Sequence, residues 1–177
     1  MKKTKAILAL ALTLALLLSV GVSAFAAGPQ YESTKKFVEA IEKEDGVTYM
    51  VRDIISEGDK EYEEVIVTLK SDSLISDEGV ADVYFSEDGT EVLAAAPVIK
   101  FDQNDMVEVL QAVNAWNAYS YGATGVRFYV DTSDNTVMAR LDLFTTKDSV
   151  AEVAPYAVGV LIGYIDQVAD DLAIYAV

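Results

Sequence analysis

Two hydrophobic periods meet within one stretch of this chain, and the change between them limits the folds open to it. From Met106 to Trp116 the apolar residues Met106, Val109, Leu110, Val113 and Trp116 recur at steps of three and four, the signature of one helical face. From Val126 the period drops to two: Val126, Phe128 and Val130 alternate with Arg127 and Tyr129, then Val137, Ala139, Leu141 and Leu143 alternate with Met138, Arg140, Asp142 and Phe144. Between the two strands, residues 131–136 (DTSDNT) are turn chemistry, because their short polar side chains bond their own backbone. Asp102 and Asn104 suit the start of the helix, and the glycines of Tyr121–Gly125 predict its end before Gly122. A helix followed by a hairpin with one apolar face forms a two-layer α+β unit.

The rest of the chain extends that unit. A short helix is expected over Ser33–Lys43, capped by Ser33 or Thr34 and stopped by Asp45-Gly46. Four strands follow: Val47 to about Ile55, Tyr62–Lys70, Val80–Phe85 and Thr90–Ala96, with turns at Glu57–Lys60 and Glu87–Gly89 and a polar loop over Ser71–Gly79. Pro97, lacking an N–H, confines the fourth strand to a sheet edge or ends it. After the hairpin, Ser149 and Glu152 have capping-box spacing. Val153, Ala157, Leu161, Tyr164, Ile165, Val168 and Leu172 then form the stripe of a long closing helix, with Pro155 early enough to be tolerated. Gly159 and Gly163 predict close packing of that helix on the sheet. The expected order is α-β-β-β-β-α-β-β-α, a curved antiparallel sheet with flanking helices.

The N-terminus reads as a leader. Lys2, Lys3 and Lys5 precede an apolar run from Ala6 to Val20, and Ala24-Phe25-Ala26 has the small-x-small pattern of a cleavage site after Ala26. A retained membrane anchor is the rival reading of so long an apolar run. Cleavage leaves residues 27–177 as one domain, outside the cytoplasmic membrane of a bacterium, with no membrane insertion afterwards. Loss of three basic residues takes the formal net charge from −16 to −19, which repels nucleic acid and anionic lipid. No cysteine is present, so packing alone must hold the fold in an oxidising compartment.

Residues 109–144 (VLQAVNAWNAYSYGATGVRFYVDTSDNTVMARLDLF), with the long helix from Ser149, resemble the YbjN family, whose fold is akin to that of type III secretion chaperones. The resemblance rests on a helix carrying two spaced asparagines, Asn114 and Asn117, then a hairpin and a closing helix; residues 83–98 are similar to the family's strand-turn-strand. It implies helices on a curved antiparallel sheet and pairing into homodimers. The family is described as sensory-transduction regulators, a label that names no chemistry. Many members are similar to cytosolic proteins, whereas this chain carries an export signal.

The absence of histidine and cysteine removes Ser-His-Asp and Cys-His catalysis and the usual zinc sites. No phosphate-binding or dinucleotide-binding loop is present. Residues 131–136 lack the glycine and distal glutamate of a calcium loop, and Asp166, Asp170 and Asp171 read as a solvated helix face. Trp116, Tyr119, Tyr121 and Tyr129 are amphipathic residues of the kind enriched at interfaces and form the candidate partner-binding patch; core packing of Trp116 and edge cover by the tyrosines is the plainer reading. The expectation is a secreted, non-enzymatic, chaperone-like module without a cofactor that recognises a protein or peptide. An acidic envelope protein that is structural or binds cations is the alternative.

Overall fold

The computed structural model describes residues 28–177; the expected leader, residues 1–26, lies outside them. Helix α1 (Glu32–Ile41) opens the fold, followed by strands β1 (Val47–Glu57), β2 (Lys60–Lys70), β3 (Glu78–Ser86) and β4 (Glu91–Lys100). A single 3-10 turn (Gln103–Asp105) leads into α2 (Met106–Thr124), then β5 (Arg127–Asp131), β6 (Thr136–Phe144) and α3 (Val150–Leu172). The expected α-β-β-β-β-α-β-β-α order and α+β class both hold.

The six strands form one sheet in the order β1-β2-β3-β4-β6-β5, every neighbour antiparallel. All three helices lie on the same face. Phe37 of α1 packs on Phe85 of β3 with ring centroids 4.9 Å apart, Trp116 of α2 meets Phe128 of β5, and α3 lies over Gly79 of β3. Period-two burial along β3 and β4 sends Ala81, Val83, Phe85, Val92, Ala94 and Ala96 under the helices. A cysteine-free chain thus obtains one continuous apolar core between sheet and helices.

Several local expectations change in the folded chain. Pro97 sits in an interior strand, between β3 and β6. It is tolerated because registered pairing with β3 stops at Ala95, and the ladder with β6 slips between Pro97 and Ile99, so no ladder bond needs its missing N–H. The helix approaches the sheet closely, but not through its own glycines. A Cβ on Gly79 would lie 2.2 Å from Ile162 Cγ2, whereas one on Gly159 or Gly163 would meet nothing within 4 Å. Helix α2 runs through Gly122 to Thr124 and ends at Gly125, whose φ of +78° is the left-handed conformation glycine accepts without strain.

The helix starts differ too. Asp102 alone caps the second helical segment, accepting from the Asn104 N–H at 2.9 Å. Ser33 and Thr34 lie buried inside α1, whose first residue follows Tyr31. The capping box of α3 lies one turn earlier than predicted. The Ser149 N–H donates to Thr146 Oγ1 at 3.2 Å, and the Thr146 N–H donates to Ser149 Oγ at 3.0 Å. The predicted stripes largely hold: Val109 and Val113 of α2, and Ala157, Leu161, Ile165, Val168 and Leu172 of α3, are buried, whereas Leu110 and Val153 are exposed and α3 also buries Ala154, Val158 and Ile162. The buried band of α3 is therefore wider than the predicted stripe, because the helix packs against a sheet rather than along a single seam.

Candidate binding surface

Among the described residues, one face of the sheet has no helix on it, and its rows of side chains follow from the register. Met50, Ile66, Asp82, Ala95, Arg140 and Arg127 form one row across all six strands. Glu64, Tyr84, Leu93 and Asp142 form the next, and Pro97, Met138 and Tyr129 another. The central residues are half-buried by their strand neighbours, so this open face mixes partly shielded apolar groups with charge.

The charge is unevenly placed. The chain has only three arginines, Arg52, Arg127 and Arg140, and all three are on this face. Arg127 lies directly opposite Arg140, a like-charge pair that is unfavourable unless shared with a carboxylate. Asp142 supplies it: it pairs with Arg127 through one oxygen and accepts from Arg140 Nε through the other at 2.8 Å. Three strands away, Arg52 Nε stands 3.9 Å from Glu64 Oε2, and the Tyr84 hydroxyl donates to Glu64 Oε1 at 3.2 Å. Burial raises the Asp82 carboxyl to about 6, the Glu64 charge adds to the rise, and Arg52 opposes it. Burial likewise pushes the Tyr84 phenol up, helped by Asp82 and Glu64.

The three described side chains of the expected aromatic patch, Trp116, Tyr119 and Tyr129, do not share a surface. Trp116 is half-buried on the covered side, edge-on to Tyr119, Phe128 and Tyr164 at 6.0, 6.5 and 6.4 Å, where it ties α2 to β5 and α3. Tyr119 is 71% exposed beside it. Tyr129, 43% exposed, alternates with buried Phe128 and therefore belongs to the opposite, open face. The side chain of Tyr121 lies outside the described residues. Alternation across a strand splits a patch that sequence proximity had joined.

The asparagines of the resemblance separate as well. Asn114 is exposed, whereas Asn117 Nδ2 donates to the Phe128 carbonyl and Asn117 Oδ1 accepts from the Phe128 N–H, both at 2.7 Å. One side-chain amide thus occupies the outer edge of β5 as a neighbouring strand would.

Two acids missed by sequence reasoning prove structural. Glu63, fully buried on the covered face, accepts from the backbone N–H groups of Gln30 and Tyr31 at 2.7 and 2.9 Å. Asp166, expected on a solvated face with Asp170 and Asp171, is buried instead. It accepts from the N–H groups of Ile75 and Ser76 and from Ser76 Oγ, which pins the loop before β3 onto α3; Asp170 and Asp171 are exposed as expected. Both had a signal in the sequence: Glu63 alternates in phase with Val65 and Val67, and Asp166 follows Ile162 by four.

An open hollow of about 390 Å³ beside the β3–β4 turn is lined by Lys60, Asp88, Glu91 and Lys147 among others. Its groups serve the turn: the Thr90 N–H, then Ser86 Oγ and Thr90 Oγ1, hold Asp88 down at about 2. Among the described residues no three acids converge to hold a metal ion, and no helix is long and apolar enough to cross a membrane.

Comparison with solved structures finds the chain similar to one in the "Crystal Structure of the ExsC-ExsE Complex", at 10% identity and a TM-score of 0.38, covering 62% of this chain and 74% of that one. No curated protein matches. A family model described as "Putative bacterial sensory transduction regulator" matches residues 78–173, more than half of the chain, from β3 through to the end of α3. The chain belongs to the YbjN family.

Proposed function

We propose that this protein is an exported, non-enzymatic binding module that holds a protein or peptide partner, in the manner of a chaperone, against the open face of its sheet. The observation that carries this reading is the composition of that face. A strongly acidic chain gathers its three arginines there, among partly shielded Ile66, Leu93, Pro97 and Met138. Such a mixture suits contact with another polypeptide: the apolar groups supply area, and arginine supplies directional hydrogen bonds. Family membership supports a binding role without catalysis. The apolar run and the Ala24-Phe25-Ala26 site support export and cleavage after Ala26.

A random peptide library selected on the chain from Ala27 onward, followed by amide NMR titration with the tightest peptide, tests this. Shifts centred on Ile66, Leu93, Met138 and Tyr129, abolished by Met138→Asp, are expected. Failure to select any peptide, or shifts confined to the Trp116–Tyr164 side, would reject it. Export is checked by the mass of the chain recovered outside the cytoplasm, expected to start at Ala27; a full-length chain held in the membrane rejects that part alone.

A further inference from the structure

The register of β5 and β6 holds an arrangement that costs the fold stability. Arg127 and Arg140 stand directly opposite each other on the open face, with side chains 48% and 37% exposed. Opposed like charges are unfavourable, and a single carboxylate, Asp142, is divided between them. Each of the other ion pairs among the described residues joins one cation to one carboxylate. This corner is thus the one paired group in which cations are in excess, within a chain of formal net charge −16.

The donors that remain are directional. Asp142 accepts from one Nη of Arg127 and from Nε of Arg140, so most N–H groups of the two guanidiniums are left without a carboxylate. Their setting is half apolar. Asp142 flanks the pair on one side, and on the other Tyr129 lies opposite Met138, with Pro97 beyond it. Tyr129 is substantially exposed and Met138 half-buried, so an apolar shelf adjoins the two cations.

Charge selects among the anions such a corner could take. Two guanidiniums and Asp142 leave one net positive charge, which a single carboxylate cancels. A phosphate monoester, with about two negative charges, would leave the cluster negative beside Asp142. The planar fork of arginine also fits a carboxylate through two parallel hydrogen bonds.

We infer that the Arg127–Arg140 pair is the specificity-determining subsite of the open face. It receives a carboxylate of the bound polypeptide, from an Asp or Glu side chain or the chain end, with an apolar neighbour resting on Tyr129 and Met138. The inference rests on the partner-binding reading above and names what that partner must carry. The three arginines of the chain give three Nε–H signals in a nitrogen–proton NMR correlation, and Arg52, on the same face, serves as the internal control. The chain from Ala27 onward is titrated with N-acetyl-leucine, a carboxylate beside an apolar side chain, and with N-acetyl-leucinamide. Saturable shifts of the Arg127 and Arg140 signals with the acid alone, and none at Arg52, are the expected result. Affinity should fall about tenfold in Arg127→Gln. It should rise in Asp142→Asn, where the competing carboxylate is gone; a pair that only braced the hairpin would show no such gain. Equal movement of all three signals, shifts with the amide, no saturable shift, unchanged affinity in Arg127→Gln or weaker binding in Asp142→Asn would overturn the inference. Selected peptides that lack a carboxylate yet still shift Ile66 and Leu93 would leave the partner-binding reading standing while the inference falls.

Discussion

The covered and open faces of the sheet both hold partly or fully buried acids, but solve the problem in opposite ways. On the covered side Glu63 is met by two backbone N–H groups and Asp166 by two N–H groups and a hydroxyl. On the open side Asp82 has Glu64 as a near charge and Arg52 as a weaker counterweight, and its carboxyl is lifted to about 6. A buried charge given hydrogen bonds becomes part of the scaffold. One shifted chiefly by burial, with a like charge beside it, becomes a group that titrates nearer neutrality. The helices therefore mark the side of the sheet that holds the fold together, and the uncovered side keeps chemistry that the fold does not use.

The widest gap between the faces is expected from neighbouring residues of β3. Phe85→Ala empties a fully buried site against Phe37 and should cost about 3–5 kcal/mol in urea denaturation, whereas Tyr84→Phe, on the open side, should cost about 1 kcal/mol or less. Equal losses would break the distinction.

Next in size is Asp166→Ala, which leaves the N–H groups of Ile75 and Ser76 without their acceptor and should cost about 2–3 kcal/mol. Amide exchange over residues 71–77 should accelerate well beyond the global change. Unaltered protection there would mean that the loop is held by Leu74 packing alone.

Asp82 supplies the pH dependence. Its folded value of about 6 exceeds the ordinary 3.8, so between those values the folded chain binds the proton more tightly than the unfolded chain. Its contribution is most favourable below about pH 4, declines as the pH rises to about 6, and is fully adverse above that. Asp82→Asn should remove this decline and raise stability at pH 7 by roughly 1–3 kcal/mol. A loss of stability at pH 7 in that variant would show that Asp82 is a scaffold acid like Glu63.

The smallest effect belongs to Asp142→Asn, which leaves Arg127 facing Arg140 without the shared carboxylate and should cost about 0.5–1 kcal/mol, less at high salt. A larger, salt-independent loss would make this corner structural.

Both hydrophobic periods, the order of the elements, the turns at Gly58 and Gly89, and the alternation within each strand are set by the sequence alone. They depend on backbone geometry and on residues a few positions apart. What only the tertiary structure decided is everything that joins distant residues. It determined which strands lie at the sheet edges, why Pro97 is harmless in the interior, and that Gly79 rather than Gly159 or Gly163 admits the closing helix. It set Trp116 and Tyr129 on opposite faces, because alternation assigns a side but no list of apolar residues says which side the helices will cover. Glu63 and Asp166 were legible as acids in apolar phase. Their partners lie 32 to 91 residues away, and a hydrogen bond over that distance exists only once the chain has folded.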